Sequence, residues 1–184
     1  MGSTPDARRI RAHLQRGGVI AYATESCFGL GCDPRNQHAL TRLLLLKGRP
    51  KRKGLILVAA DLSQLARYIA PLGPAQREIL MQSWPGPHTW LVPVRHGVSP
   101  LLRGRHTCIA VRVTAHPDSI ALCRSMRSAL VSTSANRAGL KPLRSYRACV
   151  KSFGNQVLVI PGRIGIRKTP STIRDLVSGK TLRF

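Results

Sequence analysis

The alternation of apolar and polar positions along the chain predicts short buried strands separated by amphipathic helices. A first helix is expected after Thr4 and Pro5, which can cap and begin it, and it should end at Gly17 and Gly18. Strands are expected where short apolar runs are bounded by glycine, proline or polar residues. These runs are residues 19–23, 55–59, 89–94, 108–113, 157–160, 171–173 and 181–184.

Further helices are predicted where apolar residues recur every three or four positions, and Asp61 and Asp118 are placed to cap two of them. Residues 101–107 are expected to form a basic loop. The predicted helices are residues 37–46, 61–69, 74–81, 118–126 and 145–150. Because strands and helices alternate irregularly and no internal repeat is present, we expect an α/β sandwich with a mixed sheet.

The chain has 184 residues, of which 43% are apolar. This length supports one substantial core and not two, so we expect a single domain over residues 1–184. No window approaches the roughly 18 to 20 continuous apolar residues of a membrane span, and the N-terminus lacks the apolar stretch of a signal peptide. We therefore expect a cytoplasmic protein without a membrane partner.

Metal-binding patterns are missing from the sequence. The five cysteines are scattered and form no C-x-x-C pair, and the six histidines do not cluster. The seven acidic residues leave few carboxylates for a metal cage built by the protein. We expect reduced thiols and no metal ligands in the chain, so that any magnesium arrives on a nucleotide.

The charge of the chain is strongly unbalanced. Lys and Arg number 30 against seven Asp and Glu, which gives a formal net charge of +23. A nucleic-acid or multiply phosphorylated partner is favoured by this excess. The alternative is that the basic residues, which are dispersed along the chain, only decorate the surface of an enzyme.

A basic hinge lies between two apolar runs and carries five cations within seven residues. Gly48, Pro50 and Gly54 break regular structure, so we expect an ordered loop from which Lys47 and Arg49 project. In an extended segment, residues two apart point the same way, so these two cations can converge on one polyanion. The alternative is a solvated basic turn without a ligand.

Two polar segments and one arginine interrupt the apolar pattern. Residues 24–31 form a glycine-bearing segment that begins with Thr24, and its backbone could approach a ligand closely. Residues 132–136 are too polar to continue a buried strand and form a second candidate site. Arg112 lies near the end of a predicted strand, where a guanidinium requires an anion.

Each of these features also has a purely structural interpretation. Thr24 can satisfy a loop backbone, and Arg112 can pair with a carboxylate. Ser134 and Asn136 can form a turn. The sequence also lacks a G-x-x-x-x-G-K-[ST] loop, a complete dinucleotide fingerprint and a G-x-S-x-G elbow. Any phosphate chemistry must therefore use side-chain cations and hydroxyls.

Six motifs, in this order and spacing, resemble the YrdC family, in particular its short bacterial form without an extra C-terminal domain. The resemblance covers nearly the whole chain, from about Ile10 to Phe184. The motifs are residues 22–31, 47–50 with 53–56, 84–87, 110–113, 132–136 and 170–173. The resemblance implies a single-domain α/β fold, a twisted mixed sheet with flanking helices and a basic concave face.

The resemblance also implies an activity. Members of this kind form L-threonylcarbamoyladenylate and pyrophosphate from L-threonine, bicarbonate and ATP, with magnesium carried by ATP. The product serves threonylcarbamoyladenosine modification of tRNA, which implies a functional link to the transfer proteins TsaD, TsaB and TsaE. RNA or tRNA is an expected partner of the basic face.

Residue roles follow from the resemblance, position by position. Catalytic and nucleotide-binding roles fall on Lys47, Arg49, Ser134 and Asn136. Threonine binding falls on Thr24, Arg112 and Thr133, with Thr172 a weaker candidate. Lys53 and Ser171 match further nucleotide contacts.

Three positions depart from the wider family. Ala23 stands where a proline is usual, Val58 where longer relatives have a threonine-binding histidine, and His88 where an apolar residue is usual.

The residues alone leave two other functions open. One is a double-stranded RNA or tRNA binding module without catalysis, which the low aromatic content of 4% disfavours. The other is hydrolysis of a carbamoyl phosphate or carbamoyl adenylate.

Overall fold

A computed structural model describes residues 6–183 of the chain, and these residues form a nine-stranded mixed sheet with flanking helices. The helices are α1 (Ala7–Gln15), α2 (Gln37–Lys47), α3 (Pro74–Met81), α4 (Pro100–Arg103), α5 (Pro117–Met126) and α6 (Tyr146–Phe153). The strands are β1 (Ile20–Ala23), β2 (Phe28–Gly31), β3 (Ile56–Ala59), β4 (His88–Pro93), β5 (Cys108–Val113), β6 (Leu130–Ser134), β7 (Leu158–Val159), β8 (Thr172–Asp175) and β9 (Thr181–Arg183).

The strand order is β7-β1-β2-β6-β3-β5-β4-β8-β9. Three neighbouring pairs, β1 with β7, β3 with β5 and β4 with β8, are parallel, and the other five pairs are antiparallel. The predicted α/β fold with a mixed sheet is thus confirmed. No helix in the described part of the chain is both long and apolar enough to span a membrane.

Side chains alternate across β1 and explain why its whole sequence is apolar. Val19, Ala21 and Ala23 belong to the main core, whereas Ile20 and Tyr22 belong to a smaller core on the opposite face. The smaller core also contains Ile10, Leu14, Leu122 and Met126, which come from α1 and α5. Both faces of the strand are therefore covered, as a continuous apolar run predicts.

The end of α2 corrects the prediction for the basic hinge. Lys47 is the last residue of the helix and is buried, and Gly48 follows in a left-handed conformation with φ 61°. A left-handed glycine ends a helix without the steric penalty of a Cβ. Lys47 therefore lies on the same face as the buried Leu43 and Leu44, and it does not project from an extended loop. Residues Lys51–Lys53 form a short 3-10 turn.

Strand structure extends into both polar segments, where none was predicted. Phe28–Gly31 forms β2, and β6 continues through Ser134, although residues 132–136 were expected to leave the strand. The backbone pairs Gly29 with Ser134 and Leu30 with Thr133, so main-chain hydrogen bonds extend the strand despite its polar side chains. The polar side chains of residues 132–134 therefore mark an uncovered face of the sheet, and not the end of the strand.

Several helix boundaries also differ from the predictions. Thr4 and Pro5 lie outside the described residues, and the side chain of Asp6 caps α1. Of the helix predicted over 61–69, only a 3-10 turn at Leu62–Leu65 forms, with Asp61 as its cap.

Two other helices begin at prolines that the apolar pattern did not take into account. The predicted basic loop at 101–107 contains the end of α4, where Ser99 accepts a hydrogen bond from the Leu101 amide and Pro100 begins the helix. Asp118 lies in the first turn of α5 and is not its cap, because Pro117 begins the helix and His116 precedes it.

Candidate active site

A cavity of about 1190 Å³ lies over one face of the sheet. In β5, Cys108, Ala110 and Arg112 line the cavity and Val111 packs in the main core, while Ile109 belongs to the main core and also reaches the cavity. This alternation is the two-residue period of a strand, so the sequence of β5 places its single arginine on the open face. Basic side chains also enclose the cavity: Lys47, Arg49, Lys53, Arg103, Arg105, Lys141, Arg144 and Lys168.

The cavity brings together most of the residues that the sequence analysis selected. Nine of them line it: Thr24, Lys47, Arg49, Lys53, Arg112, Thr133, Ser134, Asn136 and Ser171. Thr172 does not line the cavity. Its neighbours Ser171 and Ile173 do, and because side chains alternate along an extended chain, Thr172 is directed away from the site.

The ammonium group of Lys47 is surrounded by oxygen atoms of the second polar segment. Its Nζ donates to the Ser134 carbonyl at 2.6 Å and to the Asn136 side-chain Oδ1 at 2.9 Å. It also lies 3.2 Å from Ser134 Oγ and 3.1 Å from the Asn136 carbonyl. All four acceptors are uncharged groups, so they orient the ammonium without neutralising it.

Burial, together with the smaller effect of the nearby charge of Arg49, lowers the pKa of Lys47 to about 8. The side chain is only 6% exposed, so water offers little compensation for its charge. The positive end of this side chain is therefore a place where an anionic ligand would be stabilised.

Asn136 uses both ends of its amide within the protein. Its Oδ1 accepts from Lys47 and from Ser134 Oγ, the latter at 2.6 Å. Its Nδ2 donates to the carbonyls of Arg137 and Leu140, at 3.0 and 2.6 Å. Asn136 thus fixes the beginning of the 137–144 loop, which carries Lys141 and Arg144 to the cavity. The structural alternative, in which Ser134 and Asn136 shape a turn, is part of this arrangement.

Arg49 is held by the backbone of its own loop. Its Nε donates to the Gly54 carbonyl at 2.8 Å, and its Nη2 lies 3.4 Å from the Lys53 carbonyl. Burial lowers the pKa of Arg49. Lys47 and Arg49 therefore reach the same cavity from a helix end and from a loop, and not from one extended segment as predicted.

At Arg112 the cation has a carboxylate partner. Arg112 Nη2 lies 3.3 Å from Glu25 Oε2, and the two side chains are 10% and 13% exposed. Val58, the position at which longer relatives have a histidine, is buried opposite Arg112 in the β3–β5 register. Thr24 donates from its Oγ1 to the Cys27 carbonyl at 2.7 Å. The structural alternatives for Arg112 and Thr24 are thus both realised, while both residues still line the cavity.

Three further residues near the site, Glu25, Cys27 and Arg144, had no role predicted from the sequence. Cys27 lines the cavity, and burial raises the pKa of its thiol. Arg144 lines it too and donates to the Ser26 carbonyl at 2.7 Å, which ties the 137–144 loop to the Thr24 segment. Glu25 offered a usable signal, because it is one of only seven acids and follows Thr24 directly.

The residues of the site do not offer a metal cage. Within residues 6–183, no group of three or more His, Cys, Asp or Glu side chains lies close enough together to hold a metal ion. Asp175 is the carboxylate on the described cavity wall. The donor set therefore suits an anionic ligand that brings its own cation.

The fold and the cavity together define an α/β protein whose cavity is lined by side-chain cations and hydroxyls suited to an anionic ligand. The sequence model of the Sua5/YciO/YrdC family, described as "Telomere recombination", matches residues 12–183. The chain belongs to this family, so the resemblance found in the six motifs is confirmed.

Two relatives match almost end to end. The threonylcarbamoyl-AMP synthase of Methylobacillus flagellatus is 56% identical over 177 residues, which cover 96% of this chain and 98% of that protein. The threonylcarbamoyl-AMP synthase of Chromobacterium violaceum is 56% identical over 176 residues, which cover 96% of this chain and 91% of that protein.

Solved structures share the fold. E. coli YciO superposes with a TM-score of 0.84 at 25% identity, over 97% of this chain and 90% of that one. P. abyssi Sua5 complexed with L-threonine superposes with a TM-score of 0.83 at 25% identity, over 92% of this chain. The match covers 51% of that Sua5 chain, so this protein spans about half its length. The predicted twisted mixed sheet is confirmed by these neighbours.

Proposed function

We propose that the protein is a threonylcarbamoyl-AMP synthase, a nucleotidyltransferase that forms L-threonylcarbamoyladenylate and pyrophosphate from L-threonine, bicarbonate and ATP. The observation that carries this proposal is 56% identity over 96% of the chain to synthases of this name. The cavity supports it, because its cations and hydroxyls suit a reaction between two anions.

The chemistry accounts for this set of side chains. The threonine amine and bicarbonate give a carbamate with loss of water. One carbamate oxygen then attacks the α-phosphorus of ATP, a new P–O bond forms, and the bond to pyrophosphate breaks. The nucleophile and the triphosphate are both anions, so catalysis consists mainly of positioning them and offsetting their repulsion.

Lys47 and Arg49 are the proposed phosphate ligands. The charge of Lys47 is oriented by neutral oxygens alone, so it remains available to the triphosphate and to the departing pyrophosphate. Arg49 keeps donors beyond those that bind the Gly54 and Lys53 carbonyls. Lys53 and Ser171 on the same wall are proposed further nucleotide contacts.

Ser134 and Asn136 are proposed to act in two ways. They hold Lys47 in place before ATP arrives, through the contacts of Nζ described above. The Ser134 hydroxyl donates to Asn136 Oδ1 at 2.6 Å in the free protein, and we propose that it turns to donate to a phosphate or carbamate oxygen when the substrates bind. Both residues are thus proposed to assist catalysis beside the cation.

Threonine is proposed to bind at Arg112, in the same cavity. The Arg112 guanidinium suits the threonine carboxylate, because a planar fork can donate two parallel hydrogen bonds. Thr24 and Thr133 line the same cavity and are the proposed contacts to the remainder of the amino acid. Thr172 is not part of this proposal, since it does not line the cavity.

Magnesium is proposed to enter as a complex with ATP and to share the triphosphate charge. No protein-built metal site among the described residues is required for this role. The whole of residues 1–184 is proposed to act as a single domain, in the cytoplasm. The product is proposed to feed tRNA modification through the transfer proteins TsaD, TsaB and TsaE.

RNA binding is proposed as a separate property of the basic face. The net charge of +23 supports it, and within the described residues only Arg35–Asp33 and Arg112–Glu25 form ion pairs. Such binding should weaken steeply as salt rises, because phosphate contacts release counterions. A flat salt response in a filter-binding titration with tRNA would refute it.

The experiment that tests the function is a synthesis assay. Purified protein is incubated with ATP, threonine and bicarbonate, and the adenylate is sought by mass spectrometry while pyrophosphate is measured. We expect pyrophosphate release to require threonine and bicarbonate jointly, without added tRNA. Equal pyrophosphate release from ATP alone would contradict the assignment, and binding of tRNA without any synthesis would favour the non-catalytic RNA module.

A further inference from the structure

Arg112 is connected to a buried hydrogen-bond chain that ends away from the cavity. The His116 amide donates to Thr114 Oγ1 at 3.1 Å, and Thr114 Oγ1 donates to Glu25 Oε1 at 2.6 Å. The other carboxylate oxygen of Glu25 lies 3.3 Å from Arg112 Nη2. Since the Thr114 hydroxyl accepts from an amide, its single proton is directed to Glu25.

Glu25 is fixed through its backbone as well. We call residues 162–170 the strap, because this segment runs along the Thr24–Glu25 backbone. The Gly165 amide donates to the Thr24 carbonyl at 2.9 Å, and the Arg167 amide to the Glu25 carbonyl at 3.2 Å. A Cβ on Gly165 would lie 2.7 Å from the Glu25 carbonyl oxygen, so the strap needs glycine to approach this closely.

The contact with Glu25 leaves most of the guanidinium of Arg112 unused. The ion pair is made through Nη2, and the buried Nε of Arg112 has no hydrogen-bond partner. Arg112 lines the cavity, whereas Glu25 is not among its lining residues. The carboxylate therefore holds the cation from behind and leaves donors for a second anion on the cavity side.

We propose that Glu25, oriented by Thr114, is a positioning residue that fixes Arg112 for the carboxylate of the amino-acid substrate. This inference rests on the proposed function, because it assigns the amino acid to Arg112. A buried cation that loses its partner is poorly solvated and moves toward water. Without Glu25 the guanidinium would leave the orientation in which it can receive the substrate carboxylate.

Two substitutions each remove a different contact: one the Arg112–Glu25 ion pair and the other the Thr114–Glu25 hydrogen bond. Glu25→Gln keeps the size of the side chain and a carbonyl acceptor for Thr114 but removes the negative charge. Thr114→Val keeps the shape of a residue that is completely buried but removes the hydroxyl. Thr114→Ser keeps the hydroxyl and serves as the conservative control.

We expect Glu25→Gln to raise the KM for threonine about tenfold or more, because the buried guanidinium of Arg112 loses its ion-pair partner. Thr114→Val should raise it by about threefold to tenfold, since Glu25 loses one neutral hydrogen bond. Thr114→Ser should restore the wild-type value to within about twofold. The affinity for ATP, measured by calorimetry, should stay unchanged in all three variants.

The results separate this inference from the proposed function. If the wild-type protein made no threonylcarbamoyladenylate, the function itself would fail. If it did, and both variants kept the wild-type threonine KM or lost threonine and ATP affinity alike, the positioning role would be wrong. Tighter threonine binding by Glu25→Gln would also overturn it, because Glu25 would then compete with the substrate. Should Glu25→Gln fail to fold, as judged by its melting curve, the Thr114 pair decides.

Discussion

Lys47 and Arg112 line one cavity, and they differ in what surrounds their charge. Lys47 is held by four neutral oxygens of Ser134 and Asn136, whereas Arg112 has the carboxylate of Glu25 within 3.3 Å. Both side chains are nearly buried, so the difference is not one of exposure. An uncompensated charge attracts a highly charged anion, and a compensated one selects by geometry.

From this contrast we propose that the triphosphate binds at Lys47 and Arg49 and the amino acid at Arg112. A triphosphate carries several negative charges and is best met by cations without carboxylate partners, as at Lys47 and Arg49. An amino acid carries a single carboxylate and little net charge, so an oriented guanidinium that is already balanced can hold it without attracting ATP instead. We propose that this electrostatic difference keeps the two ligands apart within a basic site.

The largest expected effect comes from removing the uncompensated cations. Lys47→Ala and Arg49→Ala should each lower turnover about 10² to 10³-fold, because charge-assisted contacts to developing phosphate charge are lost. Lys51→Ala and Arg52→Ala are the matched controls, since neither residue is among those that line the cavity. Their turnover should change less than about threefold, as for solvent-screened charges.

Turnover of the four variants, with circular dichroism to exclude unfolding, decides between convergent contacts and a general positive potential. Similar losses in all four would mean that the loop acts only as an electrostatic patch. The contrast between the uncompensated charge of Lys47 and the compensated charge of Arg112 would then have no functional meaning.

A smaller and more selective effect is expected at the compensated cation. Arg112→Lys keeps the charge but loses the planar fork, so the KM for threonine should rise by roughly 10 to 100-fold. The control is Arg105→Lys, an exposed cation on the same cavity wall, for which threonine KM should change by less than about threefold. Steady-state kinetics at saturating ATP measures both. A wild-type threonine KM for Arg112→Lys would show that charge alone is enough there.

The smallest effect is a pH dependence at the Lys47 side. In the free protein the pKa of Lys47 is lowered to about 8 by burial. A bound triphosphate favours the ammonium and raises that pKa, so above pH 8 binding must take up a proton. The affinity for ATP should therefore fall as pH rises above about 8, by at most about tenfold per pH unit.

Calorimetry in buffers of different ionisation enthalpy can measure the affinity and the proton uptake together. In Lys47→Arg the residue stays charged over this range, so the fall should disappear. An unchanged pH profile in Lys47→Arg would locate the titration elsewhere.

Many residues of this site could be predicted from the sequence. The two-residue period of a strand explains which of these predictions succeeded. The mixed α/β fold followed from the apolar runs, and the alternation in β5 is enough to put Arg112 on the opposite face from Val111. Thr172 was a weaker candidate and lies off the cavity, because one position along a strand reverses the face. A motif alone could not make that distinction.

The partners of the charges could not be predicted, because they are distant along the chain. Lys47 and Ser134 are 87 positions apart, and Glu25 and Thr114 are 89 apart. The end of α2 was also misplaced by one residue, since a helix can include its last cation before a left-handed glycine. That single residue changed Lys47 from a loop cation into a buried one.

The measurement that tests the division of the cavity most directly is a crossed binding experiment. ATP and threonine are titrated separately, by calorimetry, into Lys47→Ala and into Arg112→Ala. We expect Lys47→Ala to lose about 30-fold or more in affinity for ATP and to keep its threonine affinity within about threefold. Arg112→Ala should show the reverse. Equal losses of both ligands in both variants would contradict the assignment of the triphosphate to one side and the amino acid to the other.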